Sequence, residues 1–197
     1  MRIDARPGTD FQTEAAGACL VVPLFQDDLT ASIVAGLPGA DALGRLIGDR
    51  AFTAKSAELG FVPLVDGPYL GVLALGLGKR EAFTPESLRR AAGKACEVLA
   101  KHRIREVVFS IARVDGVPPE AFLEGLILGG YRFGKDKAPG DENPPVDVEG
   151  FTALLRAQQS SEAVLEVCRR AFAACTNANW ARDLCNTPPN DLPPLAL

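Results

Sequence analysis

Few residues in this chain have the types and spacing that chemistry needs. A single histidine, His102, is available as a base or ligand, and five cysteines, Cys19, Cys96, Cys168, Cys175 and Cys185, as nucleophiles or soft metal ligands. The cysteines form no C-x-x-C pair, and one imidazole cannot complete a zinc finger with them. Cys168 and Cys175 fall on one helical pattern about 10 Å apart along the axis, too far for a disulfide without distortion. The five read as free thiols, buried or half-buried, in a reducing cytosol. His102, between Lys101 and Arg103 at the end of a predicted helix, reads as solvated. Carboxylates pair at Asp27-Asp28 and Asp141-Glu142, both in loop-like surroundings that suggest surface positions. No G-x-S-x-G nucleophile elbow occurs.

Glycines offer the other chemical possibility, a phosphate cradle. Gly76-Leu77-Gly78 follows a strand-like run as a dinucleotide fingerprint would, but Glu81 occupies the third glycine position. Gly78-Lys79 has the end of a phosphate loop, but Leu73 stands at the required earlier glycine and Arg80 replaces Ser or Thr. These glycines read as turn residues at a strand end. Gly129-Gly130 reads as a helix C-terminus with a left-handed glycine cap. On the residues alone no catalytic, metal or cofactor-binding side chain is assigned to the chain.

The elements that would carry any site alternate between strand and helix. Ala18 to Phe25 (ACLVVPLF) is a nearly continuous apolar run, the mark of a strand buried on both faces, with Arg2 to Arg6 as a possible short strand beside it. Leu43 to Ile47 has helical spacing. Phe61–Val65 and Tyr69–Leu77 read as a hairpin about the turn Asp66-Gly67-Pro68. Thr84-Pro85-Glu86 starts a helix, with Thr84 as cap, Pro85 in the first turn and Glu86 facing the positive dipole end. It should run to about His102 and bury Leu88, Ala91, Ala92, Ala95, Val98 and Leu99. Glu106 to Ile111 is another buried-type strand. Pro118-Pro119-Glu120 opens a helix with Phe122, Leu123, Leu126 and Ile127 on its apolar side. Pro139 to Pro145 is a loop and Val146 to Val148 a possible short strand.

From about Ser160 to Cys185 one long helix is expected, with Leu165, Cys168, Phe172 and Cys175 at three- and four-residue steps. Its length, about 37 Å, suits a bridge between two bodies. Its second half, Ala173 to Asn186, is small and polar apart from Trp180. That half should be poorly buried, with Trp180 seeking cover or the helix fraying from about Asn177. Asn186-Thr187-Pro188-Pro189-Asn190 stops the helix, and the few residues after it suggest a chain cut inside a larger protein. Together these elements predict an α/β fold: a three-layer mixed sheet flanked by helices, mostly parallel, within residues 1 to about 155.

With 197 residues, 47% hydrophobic and 23% charged, the chain has the size and balance of a soluble globular domain. Its 21 basic and 25 acidic residues give a net charge of −4, which disfavours a domain built chiefly to grip nucleic acid. The N-terminus lacks an apolar signal core, and no apolar run approaches a membrane span, so a soluble cytoplasmic protein is expected.

Two segments resemble a known family. Ala181-Arg182-Asp183-Leu184-Cys185-Asn186-Thr187-Pro188-Pro189-Asn190 is similar to the A-R-D-L-x-N-x-P-x-N segment of the leucine aminopeptidase (cytosol aminopeptidase) family. Glu124-Gly125-Leu126-Ile127-Leu128-Gly129-Gly130-Tyr131-Arg132-Phe133-Gly134-Lys135-Asp136-Lys137 resembles the family's E-G-x-x-L-x-x-Y-x-F-x-x-Y-K segment. The G-L-G-K after a strand and the helix rich in Arg and Ala that follows it fit as well. Asp136 departs from the family's usual Tyr, and Pro193 from the Thr that often follows N-D-L.

The resemblance implies residues 1–155 as a macro-domain-like α/β N-terminal domain, 156–186 as a linker helix, and 187–197 as the start of a peptidase domain. It also implies a homohexameric, metal-dependent exopeptidase that releases N-terminal amino acids, preferably Leu. Two divalent ions, Zn or Mn, and the hallmark N-T-D-A-E-G-R segment belong to the C-terminal domain. No catalytic or metal residue is therefore carried onto this chain. Its expected role is assembly or regulation, and its expected partners are its own catalytic domain and copies of itself. Two other readings are an ADP-ribose or nucleotide-binding module, which a thermal-shift screen would reveal, and a DNA-binding accessory domain, which a low-salt gel shift would reveal.

Overall fold

A computed structural model describes residues 1–8, 17–133 and 148–188. Ten regular elements follow in chain order. They are β1 (Arg2–Pro7), β2 (Ala18–Leu24), α1 (Ala40–Gly48), β3 (Leu59–Pro63), β4 (Tyr69–Gly76), α2 (Pro85–Lys101), β5 (Glu106–Ser110), α3 (Pro119–Gly130), β6 (Gly150–Leu155) and α4 (Ser161–Asn186). Short 3-10 turns occupy Ala31–Val34 and Arg80–Ala82. The strands make one six-stranded sheet in the order β1-β6-β5-β2-β4-β3. All pairings are parallel except that of β3 with β4, which is the hairpin expected from the sequence.

Strand alternation sorts the core into two layers. Cys19, Val21, Leu73, Leu75, Val107, Phe109, Phe151 and Ala153 face α2, α3 and α4. Leu20, Val22, Leu24, Val72, Ala74, Val108 and Leu154 face the opposite side, where Val34, Leu37 and Leu43 of the α1 region cover them. Every residue of β2 is buried, as its unbroken apolar run requires of a strand covered on both faces. Phe109 and Phe122 stack with centroids 4.1 Å apart and tie the sheet to α3.

The start of α2 is capped as its residues predict. The Thr84 side chain accepts from the Ser87 amide at 3.1 Å, and the Ser87 hydroxyl accepts from the Thr84 amide at 3.1 Å. Leu88, Ala91, Ala92, Ala95 and Leu99 are buried, while Val98 is only half-buried and Cys96 takes a core position.

Three expectations for the strands and α3 are corrected. First, β1 does not lie beside β2. It is the sheet's edge strand, paired with β6 from Arg2↔Gly150 to Pro7↔Leu155. Second, the strand after the Pro-rich loop is Gly150–Leu155, whereas Val148 is not in a strand. The leading glycine and central Thr152 hide β6 from an apolar-run reading, yet Phe151, Ala153, Leu154 and Leu155 are buried. The loop expected at 139–145, and Val146 with it, lie outside the described residues.

Third, α3 has no left-handed glycine cap. Neither Gly129 nor Gly130 has a positive φ, and the chain leaves the helix through Tyr131 in extended geometry (φ −60°, ψ 131°). Gly129 serves packing instead. A Cβ built there would press on the backbone of Gly93 in α2, and one built on Gly125 would lie 2.6 Å from the Ala92 Cβ. Gly125 and Gly129 of the EGLILGG segment let two helix backbones approach closely.

Helix α4 runs unbroken to Asn186. Cys168, Ala171 and Cys175 are its buried residues, with Val164, Leu165 and Phe172 packed against the core. Beyond Cys175 no helix residue is fully buried, Leu184 is half-buried, and Trp180 is 62% exposed. The expected poor burial is present, but the helix continues past Asn177 with Trp180 uncovered. The reason lies in polar contacts at the end of α3. No described helix is long and apolar enough to cross a membrane.

Candidate functional site

The chemical candidates are spent on structural roles. His102 ends α2, is exposed, and lays its ring 4.2 Å from that of Phe61. Asp27 accepts from the Arg80 amide at 2.7 Å, and Asp28 pairs with the Arg80 guanidinium at 2.5 Å. That guanidinium lies 4.3 Å over the Phe25 ring, so the pair clamps the loop after β2 to the loop after β4. Asp141 and Glu142 lie outside the described residues.

The amides of Gly76, Leu77 and Gly78 are taken up within the fold. Gly76 donates to the Glu58 carbonyl, Leu77 to Leu24 and Gly78 to Ala54, at 2.8–2.9 Å. Gly78 has φ +74°, the turn conformation that its strand-end position suggested. All five cysteines are free. Burial pushes the Cys19 and Cys168 thiols up to about 12 and Cys96 to about 11, which favours their neutral form. Cys185 alone is exposed, unlike the buried or half-buried state expected of all five. Among the described residues no three His, Cys, Asp or Glu side chains converge as a metal-binding group.

What the fold does bring together is the pair of segments that carry the family resemblance. Helix α3 ends with carbonyls that have no partner inside the helix. Helix α4 lies alongside and supplies donors to them. Asn179 Nδ2 donates to the Ile127 carbonyl at 3.1 Å, and Arg182 Nη1 to the Leu128 carbonyl at 3.2 Å. Arg132 Nη1 donates to the Gly129 carbonyl at 3.2 Å. The two guanidinium groups also complement the negative end of the α3 dipole.

Tyr131 is the centre of the junction. Its hydroxyl donates to Asp183 Oδ1 at 2.8 Å and accepts from Asn186 Nδ2 at 3.3 Å. The Arg182 guanidinium lies 5.2 Å from its ring centroid. Burial and the neighbouring Asp183 carboxylate push the phenol above its ordinary value. Thr187 Oγ1 then donates to the Asp183 carbonyl at 2.6 Å and closes the helix. A cavity of about 290 Å³ opens beside these groups, lined by Met1, Leu126, Tyr131, Phe172, Asn179 and Asp183 among others. This arrangement holds two helices in register; it has no nucleophile–base pair. Asn179, Arg182, Asp183 and Asn186 are not assigned by the sequence reading. Their spacing of three, four and seven residues from Asn179, which puts them on one helix face, is the signal that would have found them.

Comparison with known proteins gives this junction its context. The profile of the cytosol aminopeptidase family, N-terminal domain, matches residues 21–139. A probable cytosol aminopeptidase of Mycobacterium marinum is 35% identical over 178 residues, covering 89% of this chain and 31% of the relative. One from Streptomyces coelicolor is 36% identical over 187 residues, covering 81% and 35%. The chain therefore belongs to the cytosol aminopeptidase family, in the region of its N-terminal domain. It spans about a third of the length of these curated relatives.

Solved structures share the fold. A tomato leucine aminopeptidase mutant superposes with a TM-score of 0.73 at 18% identity, over 99% of this chain and 40% of that one. The bottromycin maturation enzyme in complex with Mn superposes at 0.62 with 23% identity, over 92% and 34%.

Proposed function

We propose that this chain is the non-catalytic N-terminal domain of a metal-dependent leucyl aminopeptidase, an assembly or regulatory part of an enzyme that releases N-terminal amino acids from peptides. The observation that carries this reading is coverage: relatives with this domain continue for about twice its length again. In this reading residues 1–155 form a macro-domain-like body, 156–186 the linker helix, and 187–197 the first residues of the peptidase domain. The mixed sheet with helices on both faces and the overhanging end of α4 support that division.

The two divalent ions, Zn or Mn, belong to the C-terminal domain, where they would activate the attacking water. The donors of this chain do not suit them. Its buried thiols resist ionisation, Asp27 and Asp28 are held by Arg80, and His102 is stacked on Phe61. No catalytic or metal-binding residue is assigned here. The enzyme is proposed to be cytoplasmic, in keeping with the cytosol aminopeptidase names of its relatives, and to assemble as a homohexamer.

The test compares this 197-residue chain with the longer gene product on leucine p-nitroanilide with added Mn or Zn. The chain should be inert and the longer product active. Metal-dependent turnover by the clean chain, or a downstream coding sequence without N-T-D-A-E-G-R, would refute the reading.

A further inference from the structure

We infer that Tyr131 and Asp183 are positioning residues: their hydrogen bond locks the last turns of α4 onto the end of α3 and so sets the direction in which the polypeptide leaves the domain at Thr187. What is positioned rests on the proposed function; the lock itself does not.

The lock matters because little else holds the end of α4. Its buried positions end at Cys175. Thr176 to Asn186 would extend about 16 Å further at the usual rise. A stretch of that length is marginal in water without tertiary support. Its largest apolar side chain, Trp180, is mostly exposed, and its one leucine, Leu184, is half-buried.

The support is polar and one-sided. Asn179, Arg182, Asp183 and Asn186 all reach the α3 terminus or Tyr131. Tyr131 couples the two ends, because its hydroxyl donates to one α4 side chain and accepts from another about a turn away. Asp183 also acts through its backbone, where its carbonyl receives both the amide and the hydroxyl of Thr187, at 2.9 and 2.6 Å. The residue that locks the helix therefore also fixes where it stops. Hydrogen bonds impose direction, which apolar contact does not. A few of them fix an angle with little buried area.

Cys185 allows a direct test, because it is exposed while the other four thiols are buried. A nitroxide on Cys185 of the 197-residue chain reports motion of the last turn by its spectral line shape, and amide hydrogen exchange reports residues 178–187. Tyr131→Phe should give a mobile label and about tenfold faster exchange in that segment, the size expected for losing a hydrogen bond to a charged group. Asp183→Ala should behave likewise. Asp183→Asn, which keeps an oxygen to accept from Tyr131, should retain most of the protection. Exchange in α2 and β4 should not change.

Unchanged label motion and exchange in Tyr131→Phe would overturn the lock. So would loosening of α2 as large as that of α4, because Tyr131 would then merely support the fold. In the longer gene product Tyr131→Phe should lower kcat for a leucyl substrate while KM is held, since substrate contacts lie in the other domain. An unchanged kcat would overturn the positioning role. A longer product without peptidase activity would instead refute the proposed function and leave the measurements on α4 standing.

Discussion

Replacing Gly125 with alanine adds one methyl group where the backbones of α2 and α3 nearly touch. A Cβ at this position would lie 2.6 Å from the Ala92 Cβ and 2.8 Å from the Arg89 Cα, with the Arg89 carbonyl oxygen closer still. Carbon atoms pack at about 3.5–4.0 Å, so the helices must separate by roughly 1 Å. That separation pulls on the Arg89–Glu124 ion pair at 2.5 Å and on the Cys96 thiol that donates to the Leu126 carbonyl at 3.4 Å. Overpacking of this kind costs about 1–3 kcal/mol, against a gain of up to about 1 kcal/mol in helix propensity. The net expectation is a loss of about 1–2 kcal/mol, which for a domain of this size lowers Tm by roughly 2–8 °C. Thermal unfolding followed by far-UV circular dichroism measures it. Gly44→Ala in α1 is the control, because nothing lies within 4 Å of its added Cβ. The same chemical change there should raise stability by about 0.4–1 kcal/mol. A Gly125→Ala protein as stable as the wild type would refute the close-approach argument, and with it the reason given for glycine in the EGLILGG segment.

Three further outcomes are expected. Trp180 is the chain's one tryptophan and 62% exposed, so its fluorescence should be red-shifted and strongly quenched by iodide; a blue-shifted, protected emission would contradict the exposed α4 end. In native protein a thiol reagent should modify Cys185 quickly and the other four cysteines only after denaturation; two or more fast thiols would show that the core is looser than described. Alkaline stability should follow the buried thiols together, with Cys19 and Cys168 at about 12 and Cys96 at about 11 in the folded chain against about 8.5 when unfolded. Each thiol's contribution is complete below about pH 8.5 and is lost as pH rises toward its folded value, with a slope of about 1.4 kcal/mol per pH unit per thiol, so Cys19→Ala should make the fall of the urea midpoint across that window shallower, with Cys168 and Cys96 carrying the rest.

Much of the fold was legible because its strands are covered on both faces. The ACLVVPLF and EVVFSI runs carry no polar face to confuse them, and the hairpin turn and the Thr84 cap are local signals that need no tertiary information. Order within the sheet was not legible. Strand β1 buries only Ala5, the rest being exposed or half-buried as on an edge strand. Nothing in Arg2–Pro7 names its partner, and β6, the true partner, was itself obscured by Gly150 and Thr152. The role of Gly129 is hidden in the sequence for a related reason. A glycine at a helix end and a glycine at a helix crossing look alike until the second helix is in place.

The junction is built from residues that carry no chemistry of their own. A search for chemistry looks for nucleophiles, bases and ligands, and Asn179, Arg182, Asp183 and Asn186 form none of these. They satisfy the carbonyls of α3 and the Tyr131 hydroxyl, a role visible only when two helices far apart in sequence are placed side by side. Each contact is worth little alone, on the order of 1 kcal/mol net for a neutral hydrogen bond. Together they replace the apolar burial that α4 lacks beyond Cys175. A helix held by apolar contact can slide or roll at modest cost, whereas one held by paired donors and acceptors has a single register. That difference explains how the end of α4 can be both poorly buried and well defined.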